Sequence, residues 1–317
     1  MMKTTNAAAN SDFNKNHCAH QTPRTFGGVK ATYPEAIEYT TGPAGMRGLM
    51  LFMGVFGLAG MLAGGIGMFI VTSEPDWLDY VTLVVGALIG LGFLLFSIRF
   101  EFFRPEDEPT IFDRKNRKVY LISREVHTGI NGLFKPWPLR FITYDWDLID
   151  AQHHTETYTT GSTVSRRHAL VFLVRQSPTN PAYIDQFTIG NSLILGEDTV
   201  APLWEHIRRF MEENGPHLPP MDVLAEMEKP SGWWQSMKAV FPKSADSTFW
   251  EWLKEELPFA LLIVALSPLF VPMYLIWGTG NWLSHKTAIP IKWPTEVLEA
   301  IGTPVPDRPR RKTACAA

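Results

Sequence analysis

Hydrophobic and polar positions divide this chain into blocks of different period. From Gly48 to Val71, GLMLFMGVFGLAGMLAGGIGMFIV, 24 residues pass without a charge. A helix needs roughly 20 to cross a hydrocarbon core about 30 Å thick, so the run predicts a transmembrane helix. After the connector TSEPDWLD, a second uncharged run from Tyr80 to Ile98 predicts the return helix of a hairpin. The pattern then changes to short runs with period two. PTIFD, KVYLIS, LRFITYD, DLIDAQHHTETYT, HALVFLVR and AYIDQFTIG are separated by Gly, Pro, Ser and Asn clusters and predict antiparallel strands. Val200, Leu203, Trp204, Ile207, Phe210 and Met211 recur at helical spacing up to Asn214-Gly215. They predict a helix over 199–214, capped by Asp198 or Thr199, whose apolar stripe closes the sheet.

Beyond PHLPP the chain is rich in tryptophan. GWWQSMKAVF and STFWEWLKEEL mix Trp, Phe and Leu with Lys and Glu, as helices lying in a headgroup layer do. Trp233, Trp234, Trp250, Trp252 and, further on, Trp282 are the expected interface anchors, with a protein–protein patch as the other reading. A third apolar run, Leu257 to Trp282, is broken by Pro268 and Pro272. It reads as a kinked span or as a re-entrant segment, and a kinked span is favoured because exposed non-helical backbone is costly in lipid.

These blocks set the expected domains: a polar, partly disordered N-terminus over 1–45, a transmembrane hairpin over 46–103 and a soluble β-rich domain over 104–215. Amphipathic helices over 216–256, the third apolar segment over 257–282 and a basic tail over 283–317 follow. The fold class is an α+β membrane protein, and strands followed by one helix suit a pleckstrin-homology-like half-open barrel.

Charge orients the hairpin. Lys30 and Arg47 precede it and Arg99, Arg104, Arg114, Lys115, Arg117 and Lys118 follow it, whereas the connector carries only Glu74, Asp76 and Asp79. By the positive-inside tendency both ends, and the β-rich domain, are cytoplasmic. A single crossing at 257–282 would put the basic tail outside, against the same tendency. Glycines at 57, 60, 64, 65, 67, 86, 90 and 92 suit close helix packing, with a pore or dimer face as the alternative. The formal net charge of −3 gives no field for nucleic acid.

Candidate chemistry is sparse. The two cysteines, Cys18 and Cys315, make no disulfide framework, and His17, Cys18 and His20 lack a fourth ligand nearby. Motifs for a hydrolase nucleophile, a zinc protease, a P-loop or a dinucleotide fold do not occur. Neither catalysis, a cofactor nor a metal is expected. Asp145, Asp147, Asp150, His153, His154 and Glu156 form the nearest acid–base candidate. On one strand, however, His153 and His154 face opposite ways, so a solvated face is the stronger reading. Arg166, Arg167 and His168 follow what reads as a flexible loop and could meet lipid phosphate or solvent. Arg114, Lys115, Arg117 and Lys118 are either a charged hairpin turn or a contact with anionic headgroups.

The ordered combination of the hairpin, RPEDEPTIFDRKNRKVYLI, YDWDLIDA, LWEHIRRFMEENGPHLPP and a Trp-rich segment before a third apolar run resembles a family of uncharacterised bacterial inner-membrane proteins. That family is associated with type VI secretion loci and encoded beside toxic effectors. The resemblance covers about residues 40 to 300 and implies an immunity or accessory protein whose partners are the bilayer and a cognate effector. The class that competes with it is a membrane-anchored lipid-sensing scaffold. A membrane enzyme using the Asp145 to Glu156 stretch is the third.

Overall fold

The computed structural model describes residues 9–40, 47–72, 75–102, 104–127, 129–160, 163–189, 196–225, 229–240 and 267–305. Strands β1 (Ala9–Phe13), β2 (Val29–Thr32) and β3 (Ala36–Tyr39) precede helices α1 (Leu49–Val71) and α2 (Trp77–Glu101). Next come β4 (Thr110–Asp113), β5 (Lys118–Arg124), α3 (Ile130–Phe134), β6 (Leu139–Asp145), β7 (Ile149–Thr160), β8 (Thr163–Arg175) and β9 (Tyr183–Ile189). Four helices follow: α4 (Glu197–Glu212), α5 (Trp233–Val240), α6 (Ser267–Lys286) and α7 (Thr295–Ile301).

The fold is α+β with two antiparallel sheets, ordered β2-β3-β4-β5-β6 and β1-β7-β8-β9. A 3₁₀ turn, Trp146–Leu148, hands the chain from the first sheet to the second. One core joins them. Ile37, Tyr39, Phe112, Val119 and Leu121 from the first sheet meet Ile149, Leu170, Phe172 and Val174 from the second and Trp204, Ile207 and Phe210 from α4. The amphipathic stripe of α4 is buried as its spacing predicts. Its start differs: Gly196 is the N-cap, and the Thr199 hydroxyl donates back to the Gly196 carbonyl instead of capping. Glu197 and Asp198 in the first turn favour the helix dipole. At its end Asn214 adopts the left-handed conformation and the Gly215 N–H returns to the Arg209 carbonyl at 2.8 Å, closing the helix where Asn-Gly marks it. The other face of the first sheet carries a smaller core of Tyr33, Ala36, Ile111, Tyr120 and Ile301, the last from α7. Burial on both faces explains why Ile111 and Phe112 stand side by side in TIFD.

The N-terminal residues depart from the expectation drawn from their composition. β1 pairs with β7 from Ala9 opposite Thr155 to Phe13 opposite Ala151, and β2 and β3 extend the first sheet. The β-rich domain therefore begins before the hairpin rather than at 104, and the stretch around Asn10 to Asn16 is ordered. Its partners lie more than 130 residues away in sequence, beyond the reach of local composition.

α1 and α2 are both long and apolar enough to cross a membrane, and side chains such as Val71, 83% exposed, and Leu88, 63% exposed, project away from the protein. Asp76 and Asp79 form a capping box that starts α2. The two helices touch through glycine: a β-carbon on Gly54 would lie 2.7 Å from the Ser97 Cβ, and one on Gly57 would lie 2.8 Å from the Phe93 ring. Gly90 approaches the Leu58 backbone in the same way, whereas Gly60, Gly64, Gly67 and Gly92 meet nothing within 4 Å. Gly54→Leu is therefore expected to part the helices and destabilise the chain by about 1–3 kcal/mol, and Gly60→Leu to leave it unchanged. Thermal unfolding of both variants in detergent checks the contrast.

The connectivity of the apolar segments is constrained at four points. The hairpin is inserted between hydrogen-bonded neighbours, since Tyr39 pairs with Thr110. After α4, the Ala225 N–H donates to the Val29 carbonyl at 2.7 Å, and Lys229 pairs with Glu106. α5 then packs on α6, where the Trp233 indole donates to the Thr279 hydroxyl and Met237 lies against Gly278. After α6, Ile289 exchanges backbone hydrogen bonds with Arg104 and Glu106, and the Val305 N–H donates to the Thr32 carbonyl. Both apolar excursions thus begin and end at the first sheet. Of the third apolar run, residues 257–266 lie outside the described residues, as do Trp250 and Trp252. From Ser267 it continues as helix through Pro272.

Candidate functional site

The helices and the β layer are joined by a buried polar junction. Arg47 precedes Gly48, whose φ of 85° and closeness to the Asn281 backbone leave no room for a side chain. Arg47 is 4% exposed and its guanidinium makes four hydrogen bonds. Nε donates to the Ser284 hydroxyl at 3.1 Å, Nη1 to the carbonyls of Pro105 and Glu106 at 3.0 Å each, and Nη2 to the Ser284 carbonyl at 3.2 Å. The Arg47 carbonyl in turn accepts from the Trp277 indole and the Asn281 amide. Glu101, fully buried in the last turn of α2, accepts from the Ser284 hydroxyl at 2.7 Å and from the Met50 N–H at 3.3 Å. Its carboxylate thereby sits at the N-terminus of α1, where the helix dipole favours it. Burial lowers the Arg47 guanidinium to about 10, so it stays cationic at neutral pH. The junction is a lock between α1, α2, α6 and the sheet. It holds buried charge, with the Ser284 hydroxyl shared between Arg47 and Glu101.

The Arg114 to Lys118 stretch is a turn tied to the protein itself. Asp113 accepts from the backbone and side-chain N–H groups of Asn116. Arg114 pairs with Glu35 at 2.5 Å, donates to the Gly215 carbonyl and lies 4.8 Å from the centre of the Phe210 ring. Arg117 pairs with Asp147 at 2.6 Å and Glu212 at 3.2 Å, and these hydrogen bonds raise its pKa further. Lys115 is exposed, and Lys118 pairs in register with Asp113 and Asp145. Two of the four cations therefore stitch the first sheet to α4. The turn lies at the end of β4 away from Thr110, where the hairpin enters.

The Asp145 to Glu156 residues are separated by the strand alternation. His153 points inward against Phe13, with Nε2 3.0 Å from His168 Nδ1, and burial followed by the neighbouring His168 lowers its pKa. His154 and Glu156, 3.4 Å apart, point outward. With Gln152, Arg167 and Gln186 they line a shallow cavity of about 450 Å³ on the outer face of β7, β8 and β9. Asp147 serves Arg117, and Asp150 pairs with Arg175 at 3.1 Å. Arg166 and Arg167 belong to β8 and not to a loop, opposite Thr157 and Glu156. Among the described residues, no three His, Cys, Asp or Glu side chains gather to hold a metal ion.

The His17, Cys18 and His20 stretch runs along α4. Ala19 donates its N–H to Glu205, while Arg209 donates to the carbonyls of His20 and Gln21. Of the expected interface anchors, Trp234 is 66% exposed, Trp233 is bound to Thr279, and Trp282 lies under the Lys286 ammonium. In the sequence Arg47 reads only as a flank charge, and Glu101 is not singled out. A carboxylate at the domain end of an apolar span, where the flank is otherwise basic, is the signal that marks Glu101.

These elements define an α+β protein in which a helical pair able to cross a membrane is inserted into an antiparallel β layer. The chain belongs to a family of unknown function, DUF6708, which it matches over residues 87–303. The matched region includes Glu101 and Ser284 and starts after Arg47. No curated protein and no solved structure was found to match the chain.

Proposed function

We propose that this is a multi-pass inner-membrane interaction protein without catalysis of its own, whose β layer is a pleckstrin-homology-like binding module on the cytoplasmic face. In this reading it acts as the immunity or accessory partner of a type VI secretion effector, as the resemblance noted above implies. The observation that carries the membrane placement is the return of both apolar excursions to one sheet. A segment that leaves and re-enters the same domain crosses a bilayer an even number of times, so a single crossing between 257 and 282 does not fit. Ile289 and Val305 then lie on the same side of the bilayer as the β layer. Arg47, Arg99 and Arg104 at the domain end of the hairpin, against Asp76 and Asp79 at its far end, support a cytoplasmic domain.

The functional half is tested by deleting the gene in a strain that keeps the neighbouring effector gene. Growth inhibition in contact with kin is expected, and indifference to kin overturns the immunity role. The topological half is read by single-cysteine labelling in a Cys18→Ser, Cys315→Ser background. Asp79→Cys should react with an impermeant maleimide in intact spheroplasts, whereas Lys115→Cys and Thr303→Cys should react only after lysis. Labelling of Thr303→Cys from outside would refute the even crossing number.

A further inference from the structure

Three arginines gather where α2 emerges beside the β layer. Arg99 lies in the last turn of α2, Arg104 follows it, and Arg124 ends β5. Arg124 is 7% exposed; its Nη2 donates to the Phe100 carbonyl at 3.1 Å, and its guanidinium lies 4.7 Å from the Trp137 ring centre and 5.2 Å from that of Phe100. Arg99 donates to the Lys135 carbonyl at 3.1 Å and approaches Trp137 from 5.6 Å. The Nε of Arg99, of Arg104 and of Arg124 is buried and lacks a hydrogen-bond partner among the described residues. These Nε atoms are closed to solvent, so the groups an anion can reach are the outer Nη atoms of the partly exposed Arg99 and Arg104, which charge-assisted hydrogen bonds suit.

The nearby carboxylates are already engaged. Glu101 serves Ser284 and the Met50 N–H and stands 3.8 Å from Arg104. Glu106 pairs with Lys229, and Glu125 with Arg140. Glu108 accepts the Arg124 N–H at 3.4 Å, and burial pushes its pKa up. Positive charge is left in surplus.

The surroundings select the form of the anion. Trp137 packs at 6.0 Å on both Phe96 and Phe100, so it stands level with the last turns of an apolar helix. In the same stretch of chain Phe134 at the end of α3 is 80% exposed and Phe141 on β6 50%, and Val126, just after Arg124, is 40% exposed. Exposed apolar side chains next to a basic cluster, at the end of a span, match the boundary between headgroup phosphates and acyl chains.

We propose that this cluster binds the phosphate of an anionic phospholipid in the leaflet facing the β layer. Arg99, Arg104 and Arg124 are the anion ligands, Trp137 is the wall, and Phe134 enters the acyl boundary. The site rests on the membrane placement proposed above. It moves the headgroup contact from the Arg114 to Lys118 turn, whose arginines are spent on Glu35, Asp147 and Glu212, to the base of the hairpin.

The full chain, purified in a non-ionic detergent, is titrated with phosphatidylglycerol, phosphatidylcholine or inorganic phosphate while thermal unfolding is followed. Phosphatidylglycerol is expected to raise Tm progressively with the logarithm of its concentration, by about 5 °C at a hundredfold excess over its Kd. Phosphatidylcholine and phosphate are expected to leave Tm unchanged. The partly exposed pair Arg99→Gln with Arg104→Gln should raise at least tenfold the phosphatidylglycerol concentration needed for a given shift, Arg124→Gln should do the same where it folds, and Lys115→Gln with Lys118→Gln should retain the effect. An equal shift with phosphatidylcholine, an equal shift with inorganic phosphate, no shift with any of the three, or a full shift in the Arg99, Arg104 variant each overturns the lipid site. Carbonate extraction of cell membranes separates the two readings. A chain released to the soluble fraction sinks the membrane placement and the site with it, whereas a chain retained without a lipid-dependent shift sinks the site alone.

Discussion

Arg47→Met is expected to lower the stability of the detergent-solubilised chain by about 3–5 kcal/mol, as removal of one partner from a buried charged network does. Methionine fills much of the space but donates nothing. The carbonyls of Pro105, Glu106 and Ser284 then lose the donors that Arg47 aims at them, and Glu101 loses a nearby cation. The loss is a large part of a typical total of about 5–15 kcal/mol, so a drop in Tm on the order of 10 °C is the expected reading. Arg47→Lys should rescue little, because one ammonium on a flexible stem cannot serve acceptors arranged around a planar guanidinium. Ser284→Ala, which removes one hydroxyl shared by Arg47 and Glu101, should cost about 1–3 kcal/mol. Limited trypsin digestion gives a second readout, since loosening of the junction exposes Lys286 and Lys292 at the end of α6 and beyond it. A variant as stable and as resistant as the parent would mean that α6 is held by its apolar contacts alone.

Why the junction escaped local reading is itself physical. The first apolar span, most of the period-two strands and the stripe of α4 are short-range patterns found within a residue or two of where periodicity places them, whereas α2 runs three residues further at each end and β8 begins five residues earlier than HALVFLVR. Arg47, Glu101 and Ser284 have no such pattern. Each is ordinary in its own neighbourhood, and Arg47 reads as a topogenic charge. Their meaning comes from a meeting of residues separated by 54 and 183 positions, which only the fold creates. The same holds for Arg114 and Arg117. A cluster of four cations in a hairpin turn reads locally as an anion site, yet Glu35, Asp147 and Glu212 are brought in from three other elements to neutralise it. Arg99, Arg104 and Arg124 show the converse. They are scattered in sequence, Arg99 and Arg104 read as flank charges, and the fold brings Arg99 and Arg124 onto Trp137 with Arg104 in their neighbourhood. The N-terminus follows this rule as well, because Asn10 to Asn16 is polar enough to pass for disordered chain while its hydrogen-bond partners are on β7 and α4.

The second large effect is expected at Glu205, where acid and mutation act on the same group. Glu205 is fully buried on α4 and binds Arg208 at 2.7 and 3.0 Å, Arg209 at 2.5 Å and the Ala19 N–H at 2.9 Å. Burial alone would raise its pKa. The hydrogen bonds from Arg208, Ala19 and Arg209 outweigh burial and bring it from 4.5 down to about 2. Because the folded value lies below the unfolded one, the stability this group contributes is complete above pH 4.5 and is lost as pH falls through 2. His206, the next residue, acts in a higher window. Burial lowers it from 6.5 to about 4, and it is held neutral between the Tyr39 hydroxyl at Nδ1 and the Pro216 carbonyl at Nε2. Its contribution is complete above pH 6.5 and fades as pH falls towards 4, where the unfolded chain binds the proton first. Denaturant unfolding against pH should therefore show two successive losses. Glu205→Ala should remove the lower one and destabilise the chain by about 3–5 kcal/mol at neutral pH, because it leaves the buried Arg208 guanidinium short of its main partner. Glu205→Gln should keep part of the hydrogen bonding and cost less. In Glu205→Ala the segment of residues 14–24 loses its Ala19 tether to α4 and the carboxylate that positions Arg208 and Arg209 on the Lys15, His20 and Gln21 carbonyls, so trypsin should cut at Lys15 and Arg24 well before the rest of the β layer opens. Simultaneous cleavage throughout would instead make the N-terminal segment and the core one cooperative unit, with Glu205 supporting both.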